Sequence, residues 1–285
     1  MVAGALLAAA ESRAGEVIGV EAVSPRIDVV TFHSDVLGTD KRFGVVKPAG
    51  YDAGRDGPWP VLYLFHGRGR HERSLIDHET ARAHLLDAPF VIALPDGDDG
   101  WYINSPARPE DRYFDYTRET IGVAESMYPL SSDPGERALS GWSMGGYGCV
   151  RFAQQRPGRF AAVAPIIGLL DYPSPPESFP PGQRYAVPAD RFTDDPDVWR
   201  EHNPLHHAEA LRGVAVLQIT GGHAFDRTMN LRFSKRLGQS NIDHRYVELT
   251  GGHTFDIVVD ALPHVIEYVE DVFVHGGREQ VSADP

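Results

Sequence analysis

The stretch LSGWSMGGYG, Leu139–Gly148, decides how the chain is read. An apolar run, ALSGW (Ala138–Trp142), leads into it, and a helix-like pattern, MGGYGCVRFAQQ, leads out. One serine, Ser143, stands at the junction among glycines. A loose surface turn, a phosphate-cradling loop and a turn that exposes a nucleophile compete to explain it. A phosphate loop needs G-x-x-x-x-G-K-[ST], and no lysine follows these glycines. A surface turn fits poorly between an apolar strand and a helix. Gly141-Trp142-Ser143-Met144-Gly145 matches G-x-S-x-G, the nucleophile elbow, in the strand–turn–helix setting that motif requires. The serine must take a strained, positive-φ backbone to project its hydroxyl, and glycines two residues either side leave room for that turn. The following helix aims its free N–H groups at the reaction centre, where they favour developing negative charge.

Outward from the elbow, short β-rich runs alternate with helical patterns. Ile27–Ser34 and Arg42–Pro48 read as an opening hairpin that turns near LGTD. Pro60–His66 and Phe90–Pro95 are continuous apolar runs, as central strands buried on both faces are. Phe160–Ile167, Val214–Thr220 and His244–Thr250 complete the set. Helices are expected near 111–128, 144–156, 227–238 and 258–273. The alternation predicts a mostly parallel central sheet with helices on both faces, and active sites on such sheets form at the carboxyl ends of the strands. Residues 168–199 break the pattern with seven prolines, which forbid a long helix or central strand. This Pro-rich insert is expected either to cap the site or to be a surface excursion. The domain reading is an N-terminal extension over 1–26, one domain over 27–274 that includes the insert, and a flexible tail over 275–285.

A serine hydroxyl needs a base, and the elbow's partners follow in the order Ser, Asp or Glu, His. His253, in TGGHTFD, follows the final strand and precedes the last helix. Asp226 is the only carboxylate in the loop after the preceding strand, VLQITGGHAFDRTMN, and also suits a helix N-cap. The oxyanion donors expected are the N–H of Met144, next to the nucleophile, and the N–H of Arg68 in LFHGRGR. Trp101, Tyr102 and Trp142 are expected to line a substrate pocket. His202, His206 and His207 cluster in EHNPLHH, but Asn203-Pro204 reads as a helix start that leaves His202 outside, so no metal site is expected. Arg68, Arg70 and Arg73 crowd the oxyanion loop and are read as solvated.

The chain has 285 residues, 42% hydrophobic and 24% charged, with a formal charge of −13 that disfavours nucleic acid or anionic membrane as partners. One cysteine, Cys149, excludes an intrachain disulfide and reads as a small buried side chain. No run reaches the roughly 18–20 apolar residues of a membrane span. The opening MVAGALLAAAESRA has an apolar stretch without the basic residues that begin a secretory signal, so compartment stays open between cytoplasm and export. A homo-oligomer is compatible with the sequence.

Taken together, VLYLFHGRGR, PDGDDGWYINS, LSGWSMGGYG and TGGHTFD resemble the esterase D and antigen 85 group of the α/β-hydrolases, most closely its tributyrin-esterase branch. The resemblance runs from about Ile27 to the last helix. It implies an α/β-hydrolase fold and a serine esterase with Ser143, Asp226 and His253 as triad, Arg68 and Met144 as oxyanion donors, and no cofactor. The substrate implied is a small-molecule or carbohydrate-linked ester. The group also contains S-formylglutathione hydrolases, mycolyltransferases and non-catalytic binding members, which are the alternatives. Its acid usually sits in G-x-x-D, which would fall nearer Ala224 here.

Overall fold

A computed structural model describes residues 15–54 and 57–276. Nine strands form one sheet: β1 (Val17–Ser24), β2 (Ile27–Ser34), β3 (Thr39–Val46), β4 (Val61–Phe65), β5 (Val91–Pro95), β6 (Arg137–Trp142), β7 (Ala162–Ile166), β8 (Ala215–Gly221) and β9 (His244–Leu249). Their spatial order is β1-β2-β3-β5-β4-β6-β7-β8-β9. The first three strands and the β3–β5 pair are antiparallel, as a hairpin meander requires. From β5 through β9 every neighbouring pair is parallel.

The apolar runs form central strands because both faces are covered. In β4, Val61, Tyr63 and Phe65 enter one core, while Leu62 and Leu64 enter the other. On the first face lie α2 (Tyr113–Met127), α3 (Met144–Gln154) and α6 (Arg227–Gln239). The second face carries α1 (Glu79–Asp87) and α7 (Phe255–His275), which pack against each other. This is the mostly parallel sheet with helices on both faces expected from the alternation, and the α/β-hydrolase architecture that the resemblance implies. None of the described helices is long and apolar enough to cross a membrane.

Two elements were not expected. Residues 17–24, inside the span assigned to an N-terminal extension, pair with β2 as an edge strand. Helix α1 is short and buries only Ala81 and Leu85. Residues 1–14, with the secretory-signal question, and the tail beyond Gly276 lie outside the described residues. The Pro-rich insert contains a 3-10 turn (Pro176–Ser178), the short helix α4 (Ala189–Phe192) and the start of α5 (Pro196–His202), joined by irregular chain. It is tied down by ion pairs from Arg191 to Asp111 at 2.7 Å and from Arg108 to Asp190 at 2.8 Å.

Candidate active site

Four loops at the carboxyl ends of parallel strands converge. They follow β4 (His66–Arg68), β6 (Ser143), β8 (Gly222–Asp226) and β9 (Thr250–Thr254). Register sets this meeting, since Phe65 stands opposite Gly141 and Gly221 opposite Leu249.

Ser143 has φ 55° and ψ −115°, the strained conformation an elbow requires. Its N–H donates to the Ile166 carbonyl at 3.0 Å, and its own carbonyl accepts from Tyr147 at 2.9 Å. The flanking glycines are explained by close approach. A Cβ on Gly145 would lie 2.2 Å from the Phe65 carbonyl oxygen, and one on Gly141 would lie 2.4 Å from the Gly145 oxygen. The elbow is thus pressed against the end of β4.

The acid and histidine loops are joined by backbone hydrogen bonds. Gly222 N–H donates to Leu249 and His223 N–H to Gly251, both at 2.8 Å. His253 Nδ1 lies 2.7 Å from Asp226 Oδ1, and His253 Nε2 lies 2.9 Å from Ser143 Oγ. An ionised carboxylate can only accept, so the imidazole proton belongs on Nδ1, which leaves Nε2 to accept the serine proton. Asp226 has no solvent exposure, and its other oxygen accepts from Thr220 Oγ1 and Asn230 Nδ2, each at 2.8 Å. Asp226 occupies the N-cap position of α6 but its side chain makes no cap hydrogen bond. The carboxylate turns to His253 instead.

Met144 is the first residue of α3, so its N–H has no partner within the helix. Among the described residues, neither the Met144 nor the Arg68 N–H donates to another protein group. The two loops touch: a Cβ on Gly67 would come within 2.7 Å of the Trp142 indole nitrogen. Around Arg68 the chain is braced by Gly69 N–H donating to Asp99 Oδ1 at 2.8 Å and by Arg70 N–H donating to the Gly67 carbonyl at 3.1 Å.

The three aromatic residues expected to line a pocket are placed differently. Trp101, Tyr102 and Trp142 are 2%, 0% and 4% exposed. Trp101 and Tyr102 both have φ 57°, which turns their side chains inward from the loop after β5. Trp101 stacks on Tyr172, while Tyr102 stacks on Phe65 and donates to the His66 carbonyl at 3.2 Å. Trp142 packs against His66 and Phe255. All three support the site from within the core instead of walling an open pocket.

Other side chains border Ser143, His253 and Asp226 without having been anticipated. The Phe225 ring lies 4.3 Å from the His253 ring, and Tyr185 from the insert stacks on Phe225 at 5.3 Å. Arg68 Nη1 donates to the Tyr185 hydroxyl at 3.2 Å. Only Phe225, next to Asp226, was accessible to a chain-order argument. The arginines read as solvated all have partners: Arg68 also pairs with Asp99, Arg70 lies over Phe255, and Arg73 pairs with Asp77 and Glu21. His202, His206 and His207 form no metal-ligand group among the described residues. Cys149 is buried, and burial pushes its thiol pKa well above the ordinary value.

The family model "Esterase: Putative esterase" matches residues 34–262. "Esterase MT1326" of Mycobacterium tuberculosis is 30% identical over 146 residues, which are 49% of this chain and 32% of that protein. The match thus spans about a third of that relative's length. Among solved structures, a ferulic acid esterase superposes with a TM-score of 0.73 at 21% identity, covering 87% of this chain and 98% of that one. An S-formylglutathione hydrolase from Staphylococcus aureus gives 0.69 at 19% identity, covering 85% and 97%. At these identities the two structures speak for the fold alone.

Proposed function

The chain belongs to the esterase family that this model describes, and from that premise we propose that it hydrolyses carboxylic esters through Ser143, His253 and Asp226. The observation that carries the proposal is the continuous hydrogen-bonded path from Ser143 Oγ through the imidazole to a buried carboxylate.

Ser143 Oγ attacks the ester carbonyl carbon as His253 Nε2 takes its proton. The carbonyl oxygen becomes an oxyanion held by the Met144 and Arg68 N–H groups. Donors preorganised in this way are worth about 3–4 kcal/mol of barrier each. Collapse breaks the carbon–oxygen bond to the alcohol, which leaves with the proton from His253. Water then gives a proton to His253 and attacks the acyl-serine, and the second collapse returns that proton to Ser143 as the acid departs. Asp226 keeps the imidazole in the useful tautomer and stabilises the imidazolium. No step requires a metal or cofactor. The 168–199 insert, within a domain whose sheet begins with β1, supplies one wall of the acyl site through Tyr185. Small or carbohydrate-linked esters are the substrate class.

Ser143→Ala tests the assignment. Hydrolysis of p-nitrophenyl acetate should fall by at least about 10³-fold while the thermal unfolding curve stays in place. Activity retained in that variant contradicts the proposal.

A further inference from the structure

At the opposite end of the elbow's strand and helix lies a cavity of about 390 Å³. Arg137 opens β6, and Arg156 and Arg159 follow the end of α3, so the cavity sits at the amino end of the strand that terminates in Ser143. Six residues of strand, at about 3.3 Å each, separate the two by roughly 20 Å. The remaining wall is α2, which contributes Arg118 and Glu125, with Phe152 and Phe160 supplying apolar surface.

The charge of this lining departs from that of the chain. Five guanidinium groups, of Arg112, Arg118, Arg137, Arg156 and Arg159, face three carboxylates, of Asp115, Glu119 and Glu125. That leaves two positive charges in excess, within a protein of net charge −13. The carboxylates are already engaged. Asp115 pairs with Arg112 at 2.6 Å, Glu119 accepts from Ser34 and Asp35, and Glu125 accepts from Tyr63 and pairs with Arg137 Nη2 at 2.6 Å.

The arginines are not all engaged. Arg137 is 4% exposed; its guanidinium lies over the Tyr63 and Phe160 rings, and its Nε and Nη1 are buried without a hydrogen-bond partner. Leaving such donors unpaired is costly, so a buried guanidinium normally finds acceptors. The side chains of Arg156 and Arg159 make no hydrogen bond or ion pair with any described residue. Burial, together with the nearby Arg118, Arg159 and Arg137, pushes the Arg156 pKa below its ordinary value. Mutually repelling, partly desolvated guanidiniums around a cavity are relieved by an anion, and their forked donors match phosphate oxygens bidentately.

We propose that this cavity binds a small phosphate-bearing dianion, away from the catalytic serine. The excess of two charges matches one phosphomonoester. The volume exceeds what an inorganic ion needs and falls in the range of small-molecule sites, so an organic group can lie along Phe152 and Phe160. The ligand would bridge the start of β6 to the end of α3 and clamp the two arms that hold the elbow.

Isothermal titration with phenyl phosphate at fixed ionic strength, set with sodium chloride, tests this. Saturable one-to-one binding is expected, weakened at least about tenfold in R156Q/R159Q. Both side chains border solvent, so the variant should unfold at nearly the wild-type temperature. Absence of saturable binding overturns the proposal, as does equal affinity in the folded variant, which would place the anion elsewhere.

Discussion

At the residue scale, Asp226 is where geometry is least tolerant. It is fully buried, and three donors converge on its two oxygens: His253 on one, Thr220 and Asn230 on the other. An amide has one acceptor atom and one donor atom, so Asp226→Asn must oppose donor to donor on one side. If Nδ2 faces the imidazole, the proton moves to His253 Nε2 and the base is lost. In the p-nitrophenyl acetate assay kcat should drop by about 10³–10⁴-fold, as when the wrong tautomer is imposed on a serine hydrolase. The serine and histidine were legible because motif and chain order point at them directly. Asp226 was reached by elimination within one loop, and the departure from G-x-x-D does not prevent its carboxylate from meeting His253. Thr220, Asn230 and Tyr185 were not legible, because their roles depend on which loops touch. The inward turn of Trp101 and Tyr102 was hidden for a related reason: an aromatic pair after a strand has no sequence mark that says which way positive φ will point it.

At the element scale, the β6–α3 turn is held by proximity to β4. Gly145→Ala would drive a methyl group into the Phe65 and His66 carbonyl oxygens, both backbone atoms that cannot swing aside. Overpacking of this kind costs about 1–3 kcal/mol or more, so urea unfolding should shift by at least that amount, with esterase activity falling alongside. The strands that were easiest to read include β4, β5 and β7, in which every residue is both buried and apolar, since burial on both faces favours a continuous apolar run. β1 escaped although VIGVEAVS is rich in β-branched residues, because it was read together with the N-terminal extension; six of its eight residues are exposed, as an edge strand allows. Helix α1 escaped because ETARAHLLD buries too little to impose a helical period.

At the scale of the whole molecule, a histidine just beyond the insert couples acid stability to the fold. His202 closes α5, is largely buried beside Arg151, Glu201 and His207, and its Nδ1 has no hydrogen-bond partner. Burial, reinforced by Arg151, lowers its pKa to about 4. The unfolded chain takes up this proton near the ordinary histidine pKa of about 6.5, whereas the folded chain resists until about 4. Stability should therefore hold above pH 6.5 and decline as pH falls toward 4. His202→Gln should flatten that part of the urea-midpoint profile; an unchanged slope would remove His202 as its source. The central claim, that His253 and Asp226 make Ser143 a selective nucleophile, is tested most directly by fluorophosphonate labelling followed by peptide mass spectrometry. A single adduct on Ser143, lost when His253 is replaced by alanine, is predicted. An unlabelled Ser143 in the folded protein, or labelling of Ser143 at the same rate without His253, would contradict it.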